Sequence, residues 1–222
     1  MRFDIFSLFP AYFQGPFDVS ILRRAKEKEL IDIRLFDIRD FSKDKQRRVD
    51  DRPFGGGPGM VLMAQPVVDA IRSTKSESTH VVYLSPQGRR FTNRVAEELS
   101  KKEHLILLCG HYEGIDQRAV DAVVDEEISI GDYVLTNGCV AAIILVDAIA
   151  RFIPGVLGKE ESAQLDTFHL PLFEAPVYTR PEEFEGRVVP EILRGGNHKK
   201  IQKWKEKEAL DKTMRVRPDL LK

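Results

Sequence analysis

The 222-residue sequence predicts an α/β fold built on a mostly parallel sheet and followed by a small helical C-terminal domain. Two observations carry this reading. Short apolar, β-branched runs alternate with stretches of helical period over residues 1–155, the pattern of successive βαβ units. Beyond them the chain turns polar and proline-bearing over residues 156–178, then lysine-rich with a helical period over residues 179–222.

The elements follow in order. RFDIFSLF (2–9) reads as a strand, with a helix from about residue 20 and a second strand at DIRLFDI (32–38). HVVYLSP (80–86) and LILLCG (105–110) are strands too apolar for a solvated face, and residues 93–101 and 117–124 supply the helices that follow them. EISIGDYVL (127–135) reads as the next strand, ahead of Asn137-Gly138 and a long apolar helix over 140–152 that Pro154 and Gly155 stop. In the last region Asn197 caps a helix over HKKIQKWKEKEAL, with Ile201 and Trp204 three apart on one face and lysines around the rest.

Charge and cysteine usage narrow the class. The net charge is −1, yet residues 194–217 hold nine Lys or Arg against three acids, a local surplus suited to a polyanion. A solvated helix face explains that surplus equally well. Cys109 and Cys139 both sit in apolar runs, which fits inert thiols in a reducing compartment and not a disulfide or zinc framework. The start, MRFDIFSLFP, lacks the continuous apolar core of a signal peptide, and the most apolar run, 140–153, is short and broken by Asp147 and Arg151. A cytoplasmic protein is expected.

Four stretches invite chemistry. DDRPFGGGPGM (50–60) concentrates four glycines and two prolines but fits neither a Walker loop nor a G-x-G-x-x-G fingerprint. YLSPQGRR (83–90), CGHYEGID (109–116) and SIGDYVLTNG (129–138) each leave a strand, where ligands bind in open α/β sheets. Each mixes glycine with a polar or aromatic residue, a composition suited to holding a flat heterocycle by main-chain hydrogen bonds, although any one alone is an ordinary βα turn.

These stretches, with ARFIPGVLG, YTRP, GNHKKIQKW and the closing RPDLL, resemble the bacterial tRNA (guanine-N1)-methyltransferase family (TrmD) of the SPOUT methyltransferases, in order from Met1 to the last residues. The resemblance implies a deep trefoil knot within residues 83–138, an exception to the rule that chains do not thread loops. It implies S-adenosylmethionine bent in that knot, at positions matching Leu84, Ser85 and Pro86, then Gly110, Tyr112 and Glu113, then Ile130, Gly131, Asp132, Tyr133, Val134, Leu135 and Gly138. The family's reaction, methylation of N1 of the guanine at tRNA position 37 after a preceding guanine, assigns Asp166 as base and Arg151 as the cation that offsets charge on the guanine O6. Lys199, Lys200, Lys203 and Arg215 match a basic tRNA-binding surface, and the family's site is completed across a homodimer. The family's Mg²⁺ dependence stays open, since no ligand cluster is visible and any Mg²⁺ would act through few ligands, phosphates and water.

The chain departs from the family's usual residues at His111, at Asn137 to Ala141, at Glu174 and at Val177. Two other readings stay open: an RNA-binding relative without catalysis, and a SPOUT enzyme with another target nucleotide. The presence of both Asp166 and Arg151 weighs against the first. DTF in the linker and the GNHKKIQKW tail weigh against the second.

Overall fold

The computed structural model describes residues 1–158, 168 and 172–221, which fall into two compact units, Met1–Glu160 and Glu161–Lys222. The first is built on a sheet of β1 (Arg2–Ser7), β2 (Asp32–Asp37), β5 (Thr79–Arg90), β6 (His104–Cys109) and β7 (Glu126–Ser129). These five strands are all parallel and lie in the order β2-β1-β6-β5-β7. A short antiparallel pair, β3 (Asp50–Asp51) and β4 (Val61–Leu62), brackets the glycine-rich loop.

Helices α1 (Ser20–Glu27), α3 (Asn93–Ser100) and α5 (Cys139–Ala150) cover one face of the sheet, and α2 (Ala64–Thr74) and α4 (Gln117–Val123) the other. The alternation of strand side chains divides them cleanly. In central β6, Leu105 and Leu107 face the first layer while Ile106 and Leu108 face the second, so all six residues are buried. Caps set where the helices begin. The Thr92 side chain accepts a hydrogen bond from the Val95 amide at the start of α3, and Asp116 does the same for Arg118 at α4, each worth about 1 kcal/mol.

Three expectations change. The strand foreseen over 127–135 ends at Ser129, because the Ser129 hydroxyl folds back to bond the Gly131 amide and carbonyl, and Gly131 takes a φ of +150°. The strand foreseen at 80–86 continues to Arg90 through an irregularity between Leu84 and Arg89. There Gly88 lies against β7 so closely that a Cβ would stand 2.3 Å from the Glu127 carbonyl carbon. The helix α2 stands where the sequence reading has no element; Pro66 sits in its first turn, where a missing amide costs nothing.

The second unit contains a hairpin of β8 (Glu183–Phe184) and β9 (Arg187–Val188), a short α6 (Glu191–Arg194) and a long α7 (His198–Val216). The hairpin was not foreseen, although its Glu185-Gly186 turn, with φ of +50° and +74°, is a two-residue turn of the kind strands favour. As foreseen, Asn197 caps α7, its side chain accepting from the Lys200 amide at 3.2 Å. Thr213, buried in α7, donates to the Ala209 carbonyl at 2.7 Å and accepts from the Phe173 amide at 2.8 Å, which fastens residue 173 to this helix. Among the described residues no helix is long and apolar enough to cross a membrane.

Candidate functional site

Parallel strands deliver the chain to one edge of the sheet, and the segments leaving β5, β6 and β7 meet there around a cleft with about 800 Å³ of space between atoms, its open mouth included. Leu84, Ser85 and Pro86 line one side, Gly110, Tyr112 and Glu113 a second, and Ile130, Gly131, Tyr133, Val134, Leu135 and Gly138 a third. The structure therefore brings together, in one cleft, every foreseen cofactor position except Asp132. Asp132 is exposed and stands outside the lining.

Close backbone packing shapes this cleft. A Cβ on Gly110 would lie 2.9 Å from Cε2 of Tyr83, a ring that is itself only 9% exposed. A Cβ on Gly138 would lie 3.0 Å from the Cα of Cys109, and the Gly138 amide donates to the Gly110 carbonyl at 2.9 Å. These contacts bring the β6 exit and the start of α5 within main-chain distance. Tyr112 holds a φ of +57°, a left-handed conformation that leaves its ring half exposed at the mouth. Glu113 is exposed at the same mouth, and its amide donates to the Met60 carbonyl at 3.0 Å, tying the cleft to the end of the glycine-rich loop. Burial, and then the nearby Glu127 charge, pushes the Tyr83 phenol up to about 12, so it stays neutral.

Beneath the cleft lies a polar cluster that the sequence reading did not assemble. His111, 4% exposed, accepts the Leu8 amide on Nε2 at 3.3 Å and sits 3.2 Å from the Ser7 hydroxyl. Ser7 Oγ is in turn 3.1 Å from the Cys139 sulfur. Hydrogen bonding with Cys109 first, then with His111 and Ser7, draws the Cys139 thiol down to about 5, while burial holds Cys109 well above the usual thiol range. Both cysteines are free and buried, as their apolar runs suggest. Residues 7, 111 and 139 are far apart in the chain, so no local pattern could have joined them. Thr136 and Asn137, the second of them a departure from the family's usual residues, are also in the lining without having been assigned to the site.

Arg151 is the half-buried C-cap of α5. Three earlier positions at helical spacing, Val140, Ile144 and Asp147, are exposed on the same side of that helix. Asp166 lies outside the described residues. Lys199, Lys200, Lys203 and Arg215 are exposed along α7, and among the described residues none of them has an ion-pair partner. No group of three or more His, Cys, Asp or Glu side chains among the described residues gathers where it could hold a metal ion.

A family model described as tRNA (Guanine-1)-methyltransferase TrmD matches residues 1–222. A tRNA (guanine-N(1)-)-methyltransferase of Protochlamydia amoebophila is 61% identical over 221 residues, covering 100% of each chain. One of Dictyoglomus turgidum is 52% identical over 221 residues, covering 100% of this chain and 90% of that one. A third, of Chlamydia pneumoniae, is 56% identical over 220 residues, and there the match spans 99% of this chain but 61% of that longer protein.

Proposed function

Because the chain belongs to the tRNA (guanine-1)-methyltransferase TrmD family, we propose that it methylates N1 of the guanine at tRNA position 37 where another guanine precedes it, with S-adenosylmethionine as donor. Methylation of tRNA guanine follows from the family itself. The observation that carries the finer reading is the meeting of three glycine-bearing strand ends in one cleft.

The cleft suits that donor chemically. Leu84, Pro86, Ile130 and Leu135 offer apolar surface to a purine, and the close packing at Gly110 and Gly138 lets the strand-end backbone line the cleft. Glu113 at the mouth places a carboxylate where a cationic ligand gains from it. When bound, S-adenosylmethionine supplies an electrophilic methyl group on a sulfonium. A trefoil knot within residues 83–138 belongs to the same reading, supported by the Gly138-to-Gly110 hydrogen bond that returns the chain to the β6 exit.

Guanine N1 carries a proton and attacks poorly until it is removed. Asp166 is assigned to accept that proton, and Arg151 to offset the negative charge that then spreads onto O6. A fixed guanidinium suits that role, since it stays charged at any working pH and directs its donors in a plane. The exposed Val140 and Ile144 beside Arg151 support a homodimer in which a second copy covers this helix face and completes the site. The exposed Lys199, Lys200, Lys203 and Arg215, without an ion-pair partner among the described residues, support a tRNA-binding role for residues 179–222, with residues 156–178 as the linker.

Methyl transfer to tRNA transcripts with and without guanine at position 37 tests the proposal. Transfer to the first and none to the second is expected; equal transfer, or transfer to ribose, overturns the choice of target. In the same assay at saturating substrates, Asp166→Asn keeps the shape of the side chain but cannot take the proton. A single-turnover rate lower by roughly 10²–10⁴ is expected, and near-normal turnover removes Asp166 from the role.

A further inference from the structure

Phe54 is 100% exposed. An aromatic ring left wholly in water forgoes the free energy its burial would bring and is open to an apolar partner. It sits at the tip of the loop between β3 and β4, followed by Gly55, Gly56 and Gly57 with φ of +84°, +80° and +115° and no heavy atom within 4 Å of where a Cβ would be. The tip is therefore free to adjust while its base is fixed. Leu62 donates to the Gly114 carbonyl at 3.0 Å and Asp116 donates to the Leu62 carbonyl at 2.9 Å, which fastens the base to the segment that lines the cleft.

An exposed cation, Arg52, stands two residues before this ring. Lys43, Arg47 and Arg48 are held by Asp69, Asp40 and Asp44, whereas no ion pair or hydrogen bond among the described residues engages the side chains of Lys45 and Arg52, both exposed. A free cation at Arg52 and a free aromatic ring, on a loop whose base is tied to the cleft, match the needs of a strand that must present an unstacked base.

We propose that Phe54 is a stacking residue for the substrate RNA: when the target guanine leaves its stack for the cleft, the phenyl ring takes the vacated place against the 3′-neighbouring base, with Arg52 on the adjoining phosphate. The inference rests on the tRNA-methylating activity proposed above. Extruding a base leaves a neighbour with one face in water, and an inserted apolar ring restores that contact, as wedge residues do in other nucleic-acid complexes. Phe54 is thus a positioning residue, since its ring holds the unstacked conformation and does not touch the reacting atoms.

The test uses the full chain and a guanine-37 tRNA carrying 2-aminopurine as the nucleotide 3′ of the target. Phe54→Ala should slow single-turnover methylation by roughly ten- to a hundred-fold, the worth of one stacked base. Phe54→Trp should stay within about three-fold of wild type, because an indole stacks at least as well. Binding of S-adenosylmethionine, followed by calorimetry, should be the same in all three proteins. The 2-aminopurine should remain quenched when bound to wild type and brighten when bound to Phe54→Ala. Equal fluorescence in the two complexes, or a Phe54→Ala rate within about three-fold of wild type, overturns the proposal. A wild-type protein that transfers no methyl overturns the activity reading and this proposal with it, whereas an active wild type beside an unimpaired variant overturns this proposal alone.

Discussion

Gly110 shows how a single hydrogen atom in place of a side chain can shape a cleft. Its missing Cβ is the space into which the buried Tyr83 ring packs, with Cε2 2.9 Å and the hydroxyl 3.0 Å from where that carbon would stand. Tyr83 cannot retreat, because it packs in the core between the sheet and the α2–α4 layer. Gly110→Ala should therefore shift the β6 exit, with an overpacking cost of about 1–3 kcal/mol. A loss of at least about ten-fold in S-adenosylmethionine affinity by calorimetry is expected, with the tRNA affinity of the variant little changed. Gly59 behaves differently. A Cβ there would meet Cγ of Glu113 at 2.5 Å, and its φ of +83° is left-handed, so a side chain at this position both displaces Glu113 and strains the backbone.

At the level of elements, the start of the sheet is held by a buried polar contact whose pH response has a definite sign. His104 on β6 stands 3.1 Å from Asp4 on neighbouring β1, accepts or donates at Nδ1 to the Thr79 hydroxyl of β5 at 2.8 Å, and has Arg2 and Arg34 nearby. Desolvation outweighs the attraction of Asp4 and lowers its pKa. The unfolded chain therefore takes up this proton before the folded protein does. Stability is fully present above about 6.5, the ordinary histidine value, and is lost as pH falls from there through the folded value. Thermal denaturation at pH 7.5 and 5.5 should show a larger drop for wild type than for His104→Gln, and equal drops would assign the acid sensitivity to other groups. The same histidine marks a limit of what sequence patterns reveal. LILLCG declared itself a doubly buried strand, and the capped helices were legible from Asn197 and from the apolar spacing of their faces. The extension of β5 was not, because it depends on Gly88 meeting the β7 backbone. Residues 130–135 alternate like a strand, yet Tyr133, Val134 and Leu135 are 54%, 83% and 39% exposed and have no layer to pack against. The cleft was legible because glycine-rich strand ends are local signals; the Ser7, His111 and Cys139 cluster was not, because only the fold brings those positions together.

Over the whole molecule, the cleft belongs to the first unit and the free lysines of α7 to the second, so ligand binding by the two should be separable by mutation. Replacing Lys199, Lys200 and Lys203 with Ala should weaken tRNA binding and reduce the slope of log affinity against log salt by up to about 2–3, one counterion or slightly less for each phosphate no longer neutralised. S-adenosylmethionine affinity should be unchanged. An unaltered salt slope would make this helix a solvated face. The backbone-lined cleft has a further consequence, for drug resistance. An inhibitor seated beside Gly110 and Gly138 meets two positions that cannot gain a side chain without a clash, with the Tyr83 ring or the Cys109 backbone, that would disturb the natural ligand's cleft as well. Variants at these two positions that lose the inhibitor should therefore lose methyl transfer with it, and a variant that excluded the inhibitor at full activity would contradict this.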